Sequence, residues 1–332
     1  MKGVILHIGN LNRYGLTAEP TALHTAFITH PICARHLIAD WHPEAPARLA
    51  AIDDRLHAAH LYDYLYHFHH PPLATREQLI RVHHPEYIDR VFANAPKATG
   101  GRWAIDPDTA MNEHSLGAAL HAAGAAIRAV DKVMAGKVQN AFCAIRPPGH
   151  HATRDQAGGF CIFNNVAVAA AHAMAEHGLD RVAIVDFDVH HGNGTEDIFK
   201  DDERVLFCST FQHPFYPYSG AETVSDHIVN VPLPAYTSGK AYREAFEARI
   251  LPALDAFKPE MVFFSAGFDS HREDDMGQFG LVEADFVWIT ETVMEIAARY
   301  ADNRVISVLE GGYDLNSLGR SVAAHIKTLA GL

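Results

Sequence analysis

Apolar segments of strand length alternate along the chain with alanine-rich segments that have the periodicity of helices. The strand-length segments are apolar on both faces, a pattern typical of strands buried inside a parallel sheet. The predicted strands are 25–30, 140–145, 181–188, 204–210, 261–267 and 304–312. The predicted helices are 116–136, 164–178, 241–257 and 283–300. This alternation predicts an α/β fold with a mostly parallel sheet.

Composition indicates one globular domain. The chain has 332 residues, of which 48% are hydrophobic and 20% charged, enough to bury a full core. No proline-, glycine- or serine-rich linker divides it, and no internal repeat is present. The formal net charge of −13 argues against nucleic acid or an anionic membrane as a partner.

The expected location is the cytoplasm. No apolar run approaches the ~20 residues of a membrane-spanning helix, and the first residues lack the pattern of a secretory signal. The four cysteines are scattered and form no closely spaced pair, as expected for reduced thiols in a cytosolic protein.

Polar and glycine-rich segments follow four of the predicted strands. These segments are RPPGHH (146–151), DVHHGNG (188–194), GFDS (267–270) and EGGYD (310–314). In a parallel sheet, binding sites form where the carboxyl ends of the strands meet. The sequence therefore predicts a pocket at this edge of the sheet.

Acidic and histidine residues end the strand in VDFDVHHGNGT (185–195). Alternation along an extended segment predicts that Asp186, Asp188 and His190 point the same way. A cation would relieve the repulsion and the desolvation of the carboxylates. Asp188 and His190 suit zinc or ferrous iron, and Asp269 is the best candidate for a third ligand. Two Asp and one His leave an open position, as in catalytic metal sites.

The other strand ends supply groups for proton transfer. Beside a metal, one of the tandem imidazoles of His150 and His151 could take a proton while the other delivers it or holds charge. Asp186 could orient one of these rings and Asn193 the other. Tyr313 follows two glycines, where its hydroxyl could stabilise an oxyanion.

Together these motifs resemble the zinc-dependent histone deacetylase superfamily, in particular the class II-like bacterial deacetylase-like amidohydrolases and acetylpolyamine amidohydrolases. The matching segments are WHPEAPARL (41–49), RPPGHHA (146–152), GGFCIFNNVAVAA (158–170), VDFDVHHGNGT (185–195), SAGFD (265–269) and EGGYD (310–314). The resemblance implies an arginase–deacetylase fold, a single catalytic domain over 25–332 with about eight mostly parallel strands flanked by helices. Residues 1–24 find no counterpart and form an extension of uncertain role.

The resemblance also implies roles for the site residues. One zinc ion per chain would be held by Asp188, His190 and Asp269. His151 would be the principal general base and acid, and His150 an electrostatic partner bound to Asp186. Tyr313 would polarise the scissile carbonyl. A potassium ion would be bound by Asp186, Asp188, His190, Ser209 and Thr210.

A narrow substrate tunnel is implied as well. Gly159 and Phe160 would line it, with Tyr216 facing Phe160 across it. Met276 falls near the gate position, where specialised polyamine deacetylases carry Glu, and Glu273 is the alternative gate. Arg48 would lie behind the metal, near the route by which acetate leaves.

The expected function is removal of acetyl or other acyl groups from acyl-lysine side chains or similar linear amides. The substrate would be an acetylated lysine peptide or protein, or alternatively an acetylated polyamine. An arginase-like ureohydrolase is a second enzyme hypothesis, but it would need a D-x-D pair where SAGFD (265–269) stands, and here position 267 is Gly and position 268 is Phe. An inactive acyl-lysine-binding scaffold is the non-enzymatic hypothesis. The sequence does not indicate an oligomeric state.

Overall fold

Eight parallel strands form the central sheet of this protein, as seen in a computed structural model that describes residues 24–332. The described residues contain ten strands in all: β1 (Thr25–Ile28), β2 (Tyr66–Phe68), β3 (Arg102–Ala104), β4 (Ala110–Asn112), β5 (Asn140–Cys143), β6 (Val182–Asp186), β7 (Val205–Gln212), β8 (Ile228–Leu233), β9 (Met261–Ala266) and β10 (Val305–Leu309). The sheet order is β2-β1-β5-β10-β9-β6-β7-β8, and every pairing in it is parallel. β3 and β4 form a separate antiparallel pair.

Helices cover both faces of the sheet. They are α1 (Ala47–Ala58), α2 (Arg76–Ile80), α3 (Pro85–Asn94), α4 (Ser115–Met134), α5 (Asn165–His177), α6 (Asn193–Phe199), α7 (Gly239–Phe257), α8 (Glu283–Tyr300) and α9 (Leu315–Leu329), with 3₁₀ turns at Pro31–Arg35 and Tyr62–Tyr64. Within the described residues, no helix is both long and apolar enough to span a membrane.

Strand alternation divides the core into two layers. On β6, Ile184 belongs to the same buried cluster as residues of α3, α4 and α5, whereas Val185 belongs to a second cluster with residues of α1, α7, α8 and α9. Both residues are fully buried. Because both faces of each central strand are covered, the strands are apolar throughout, which is why their sequences lack a polar face.

The predicted fold class is confirmed. All six predicted strands are present as β1, β5, β6, β7, β9 and β10, and the four predicted helices as α4, α5, α7 and α8. Several boundaries were wrong: β6 ends at Asp186 instead of residue 188, and β10 ends at Leu309 instead of residue 312. The predicted extension 1–24 lies outside the described residues, apart from His24.

The early end of β6 corrects one argument from the sequence. Asp188 and His190 lie in bends beyond the strand, so alternation along an extended segment does not orient them. Instead, the Asp188 N–H donates to Asp186 Oδ1 over 3.1 Å, and the His190 N–H donates to Asp188 Oδ1 over 2.9 Å. These local turns bring the three side chains to the same place.

Candidate active site

The loops that follow β5, β10, β9 and β6 meet at one edge of the sheet, because these four strands are neighbours. The four polar segments predicted to form a pocket occupy these loops. Strands far apart in sequence therefore place their terminal residues side by side, as in other open parallel sheets.

A buried group of three residues could hold a metal ion. Asp188 and His190 follow β6, Asp269 follows β9, and one ligand atom from each lies within 4.8 Å of the others. His190 Nδ1 is 3.0 Å from Asp188 Oδ1 and 3.2 Å from Asp269 Oδ2. Two carboxylates and one imidazole are a ligand set suited to zinc with an open position for water or substrate.

The charges of Asp188 and Asp269 in this buried group also favour binding of a cation. Burial, reinforced by the charge of Asp188, raises the pKa of Asp269 to about 7. Asp269 Oδ2 is buried without a hydrogen-bond partner, while its Oδ1 accepts the Val189 N–H over 2.9 Å. A dication beside Asp188 and Asp269 would satisfy the orphaned oxygen and offset the repulsion between the carboxylates.

Glycines leave room for these carboxylates. A Cβ at Gly311 would lie 2.2 Å from Asp269 Oδ2 and 2.6 Å from Asp188 Oδ2. The Gly311 N–H instead donates to Asp188 Oδ2 over 2.9 Å. At Gly267, a Cβ would lie only 1.9 Å from Asp188 Oδ2, so this position admits no side chain.

The tandem histidines have different partners. His150 Nδ1 lies 2.9 Å from Asp186 Oδ2, and His151 Nδ1 lies 2.7 Å from Asn193 Oδ1. Burial opposes the charged form of His150, but Asp186 and Asp188 outweigh it and raise its pKa to about 10. Burial lowers the pKa of His151 well below its ordinary value, and the adjacent His150 adds to this effect.

A cavity of about 270 Å³ lies beside the metal group and is lined by one of its members, His190. Its lining includes the predicted tunnel residues Gly159, Phe160, Tyr216 and Met276 together with His151, His190 and Tyr313. The ring centroids of Phe160 and Tyr313 are 5.8 Å apart, and those of His151 and Tyr216 are 5.1 Å apart. Two of the catalytic candidates, His151 and Tyr313, therefore form part of the wall of an aromatic cavity.

The β3–β4 hairpin supports one wall of this cavity. The Gly159 N–H donates to Asp108 Oδ1 over 3.1 Å, and the Phe160 N–H donates to Thr109 Oγ1 over 2.9 Å. These bonds hold Phe160 at a φ of 69°, a conformation uncommon for a bulky residue. The strained backbone turns its ring into the cavity.

The guanidinium of Arg48 packs against the ring of Tyr313. The guanidinium of Arg48 lies 4.8 Å from the centroid of the Tyr313 ring, and it donates to the carbonyls of Gly312 and Glu310. Burial raises the pKa of Tyr313 well above its ordinary value, so its hydroxyl remains a proton donor. Arg48 also pairs with the buried Glu44. Its place behind the metal and its role in product release stay predictions.

The structure places Met276, and not Glu273, in the cavity wall. Glu273 lies on the same loop but pairs with Arg320 on α9. Between them, Asp274 is buried and binds backbone N–H groups. Asp275 also reaches the cavity.

Two of the predicted potassium residues, Ser209 and Thr210, lie on β7 beside the end of β6 at Asp186. Asp186 and Ser209 are register partners, and Thr210 Oγ1 lies 3.4 Å from the Asp186 carbonyl oxygen. His191, adjacent to the metal ligand His190, is turned away from the metal group. Its ring lies 3.2 Å from Ser209 Oγ and 2.7 Å from Glu196 Oε2.

Several buried charged residues were not assigned a role from the sequence. Glu44 binds Arg146 and Arg48, and Glu310 accepts the N–H groups of Gly149 and His150. Each lies inside or beside a quoted motif. At Arg146 and Glu310, the sequence signal for a buried functional residue was a charged residue directly after an apolar strand. Phe215, Asp108 and Asp275 in the cavity wall had no such signal.

Among residues 24–332, one other three-residue group has the spacing of a metal site. Asp131 Oδ1 lies 2.8 Å from His172 Nε2 and 3.0 Å from His177 Nε2. However, His172 Nδ1 lies 3.3 Å from a guanidinium nitrogen of Arg81. Because a guanidinium can only donate, His172 Nδ1 is the acceptor and the ring proton is on Nε2. With Nε2 donating to Asp131, we interpret this group as a hydrogen-bonded link between α4 and α5.

Comparisons with known proteins agree with this geometry. A family model described as the histone deacetylase domain matches residues 42–329. The histone deacetylase-like amidohydrolase of Pseudomonas aeruginosa is 39% identical over 79% of this chain and 70% of that protein. The polyamine deacetylase HDAC10 of Homo sapiens is 40% identical over 87% of this chain, but over only 44% of its own length.

Structural similarity extends over nearly the whole described chain. The crystal structure of the HDA15 HD domain matches with a TM-score of 0.86 and 35% sequence identity, covering 92% of this chain and 88% of that one. The shared architecture is the parallel sheet flanked by helices, which is the arginase–deacetylase fold. The chain therefore belongs to the histone deacetylase family and is an enzyme of the deacetylase and amidohydrolase type.

Proposed function

We propose that this protein is a zinc-dependent hydrolase that removes acetyl or other acyl groups from acyl-lysine side chains or similar linear amides. The observation that carries the proposal is the cavity itself. Its wall contains the ligand candidate His190 together with His151 and Tyr313. We further propose that the catalytic domain spans 25–332. All four cysteines are free and buried, which supports a reducing compartment such as the cytoplasm.

Zinc would be held by Asp188, His190 and Asp269. Bound there, it would supply a Lewis acid that polarises the amide carbonyl and lowers the pKa of a water molecule. Potassium would be held by the oxygens of Asp186, Asp188, His190, Ser209 and Thr210, since potassium is coordinated by oxygen atoms.

His151 is the group placed to move protons. Asn193 Oδ1 is an acceptor, so it fixes the proton of His151 on Nδ1 and leaves Nε2 free to accept. His151 Nε2 takes a proton from water as the water oxygen attacks the carbonyl carbon. The same proton then passes to the amine nitrogen as the C–N bond breaks. His150 does not line the cavity and remains bound to Asp186.

Tyr313 stabilises the charge that develops on the carbonyl oxygen. Its hydroxyl is protonated because burial raises its pKa, and Arg48 and Phe160 hold its ring in place. A fixed donor aimed at a developing oxyanion lowers the barrier without reorganisation during the reaction. This role is specific to the transition state and predicts a larger effect on kcat than on KM.

The residues that line the cavity favour a linear substrate. Phe160 and Tyr216 contribute aromatic surface, and Met276 keeps an apolar side chain at the gate. An acetylated polyamine is the second candidate, because the carboxylates of Asp108 and Asp275 also reach this cavity and would attract a cationic chain. Met276 argues for acyl-lysine first, since it supplies no charge at the gate.

Two other hypotheses are disfavoured by particular residues. A two-metal ureohydrolase needs a second carboxylate near Asp269, but position 267 admits no side chain beside Asp188. An inactive scaffold is expected to lack a ligand, a tandem histidine or the tyrosine. All of these residues are present here, and His151, His190 and Tyr313 line one cavity.

The decisive experiment measures kcat/KM of the purified zinc form on acetyl-lysine peptides, longer acyl-lysines and free acetylated polyamines. We expect hydrolysis of acetyl-lysine peptides at the highest kcat/KM. A steep preference for free acetylpolyamines over every peptide would replace the first candidate with the second. No hydrolysis of any amide by the zinc-loaded protein would refute the proposed activity.

A further inference from the structure

Asp274 connects the gate of the cavity to the segment that carries Tyr313. It lies on the loop after β9, and only 4% of it is exposed. Its Oδ1 accepts the Met276 N–H over 3.0 Å. Its Oδ2 accepts the N–H groups of Tyr313, over 2.6 Å, and of Asp314, over 2.9 Å. One carboxylate therefore holds two segments of the wall that are far apart in the sequence.

Asp274 and Arg48 bind different backbone groups of this segment: Asp274 accepts the N–H groups of Tyr313 and Asp314, whereas Arg48 donates to the carbonyls of Glu310 and Gly312. Tyr313 follows Gly312, whose φ of 118° is accessible mainly to glycine, and it precedes α9, which begins at Leu315. The cap of α9 is made by the Asp314 side chain, which accepts the Ser317 N–H, and not by Asp274. Asp274 is thus not needed to begin the helix, and its bonds act on the turn that aims the phenol.

We propose that Asp274 is a positioning residue for Tyr313, fixing the phenol relative to the metal group and fixing Met276 in the wall. The inference rests on the proposed role of Tyr313 in amide hydrolysis. Charge-assisted bonds to backbone N–H groups are strong and short, so they suit this task. A misplacement of about 1 Å at a reacting group is enough to cost about 100-fold in rate.

The first test is Asp274→Ala. We expect kcat on an acetyl-lysine peptide to fall by about 10- to 100-fold, because the Tyr313 and Asp314 N–H groups lose their acceptor and the phenol moves. Zinc content is expected to stay at the wild-type value, since Asp274 is not part of the metal group. A fall in zinc content that matches the fall in activity would overturn the proposal.

Asp274→Asn separates the positioning of Tyr313 from the positioning of Met276. Its single oxygen can still accept from Tyr313 and Asp314, which leaves the amide NH₂ facing the Met276 N–H. We expect kcat to be largely retained and KM to rise, because only the gate is released. This variant also keeps the proposal testable if Asp274→Ala does not fold. A loss of kcat in Asp274→Asn with unchanged KM would contradict the assignment.

A second readout distinguishes misplacement of the phenol from general damage. A trifluoroacetyl-lysine peptide has a more electrophilic carbonyl and depends less on a donor at its oxygen. The ratio of trifluoroacetyl to acetyl kcat is therefore expected to rise in Asp274→Ala, in the same direction as in Tyr313→Phe. Equal loss on both substrates would show a merely structural role and would overturn the proposal.

Glu273→Gln is the matched control, because Glu273 is the adjacent carboxylate and binds Arg320 instead of the Tyr313 segment. It is expected to keep both kcat and the substrate ratio. If wild type and Tyr313→Phe behave as proposed but Asp274→Ala is like wild type, only the inference about Asp274 fails. If Tyr313→Phe retains full activity, the role of Tyr313 itself fails.

Discussion

His151 lies in the wall of the cavity, whereas the ring of His150, with its centroid 4.0 Å away, lies behind it. Their Nδ1 atoms meet different partners, the neutral amide of Asn193 for His151 and the carboxylate of Asp186 for His150. A carboxylate stabilises an imidazolium, and an amide oxygen does so less. Neighbouring residues of the same type are thus fitted to different tasks.

This difference predicts unequal effects of removing the two rings. We expect His151→Ala to lower kcat by about 100- to 10,000-fold, the range for loss of a general base, and His150→Ala to have a smaller effect. The measurement is kcat on an acetyl-lysine peptide, corrected for zinc content. An equal or larger loss in His150→Ala would contradict the assignment.

Zinc binding is expected at one place only. Asp269→Asn weakens the buried ligand group, so elemental analysis is expected to fall from one zinc per chain to well below one. Removal of zinc with a chelator is expected to abolish activity and lower Tm, because a ligand that binds only the folded state stabilises it.

His177→Ala is the control for the zinc count. It disrupts the other histidine group, at Asp131, which we interpret as hydrogen-bonded and not metal-binding. The zinc content and the activity are therefore expected to be unchanged. A second zinc ion that disappears in His177→Ala would show that the interpretation of this group is wrong.

Gly159 is expected to be essential for the position of His151. A Cβ at Gly159 would lie 2.2 Å from His151 Cδ2, and the glycine has a φ of 54°. We expect Gly159→Ala to displace the His151 ring and to lower kcat by at least tenfold, a cost of about 1.4 kcal/mol in transition-state stabilisation.

Gly178→Ala separates this clash from the cost of the backbone conformation. Gly178 has a similar φ of 67° and ends α5, but nothing lies within 4 Å of its added Cβ. We expect the free energy of unfolding to fall by about 1–2 kcal/mol, the cost of a left-handed alanine, with kcat unchanged. Similar kcat values in the two variants would show that the His151 clash is relieved without consequence.

Acid is expected to destabilise the protein through its buried neutral histidines. Burial lowers the pKa of His325 to about 3, and burial also lowers the pKa of His36 and His83 to about 4. The unfolded chain, with histidine pKa values near 6.5, therefore binds protons first as the pH falls. The stability is fully present above about pH 6.5 and is lost towards pH 3–4.

Urea unfolding at about pH 7.5 and about pH 5 tests this, with an expected loss of up to ~1.4 kcal/mol per pH unit for each such histidine. His325→Gln can still bond Thr290 and Ser307, and it is expected to show a smaller loss because it removes one titrating group. The same change at the exposed His24 is expected to leave the pH dependence as it is. A pH dependence unaffected by His325→Gln would contradict the prediction.

The sequence by itself determined the fold class and the strand ends that carry the chemistry. Buried parallel strands must be apolar on both faces, so a run such as 261–267 is recognisable without knowledge of its neighbours. Polar residues directly after such runs, as at Asp269 and His150, indicate the edge where a site forms. α9 was not predicted, although its buried apolar residues Leu318, Val322, Ile326 and Leu329 recur at helical spacing.

Only the tertiary structure decided which of these residues touch. The sheet order places β9 between β6 and β10, so Asp269 meets Asp188, and Asp274 meets Tyr313 across 39 positions. Strand order depends on how the helices pack over both faces, which no local pattern encodes. The tertiary structure also decided how the chain continues after β6. Asp188 and His190 lie in bends, and hydrogen bonds between their backbone N–H groups and the preceding Asp side chains, and not strand alternation, orient them towards the metal group.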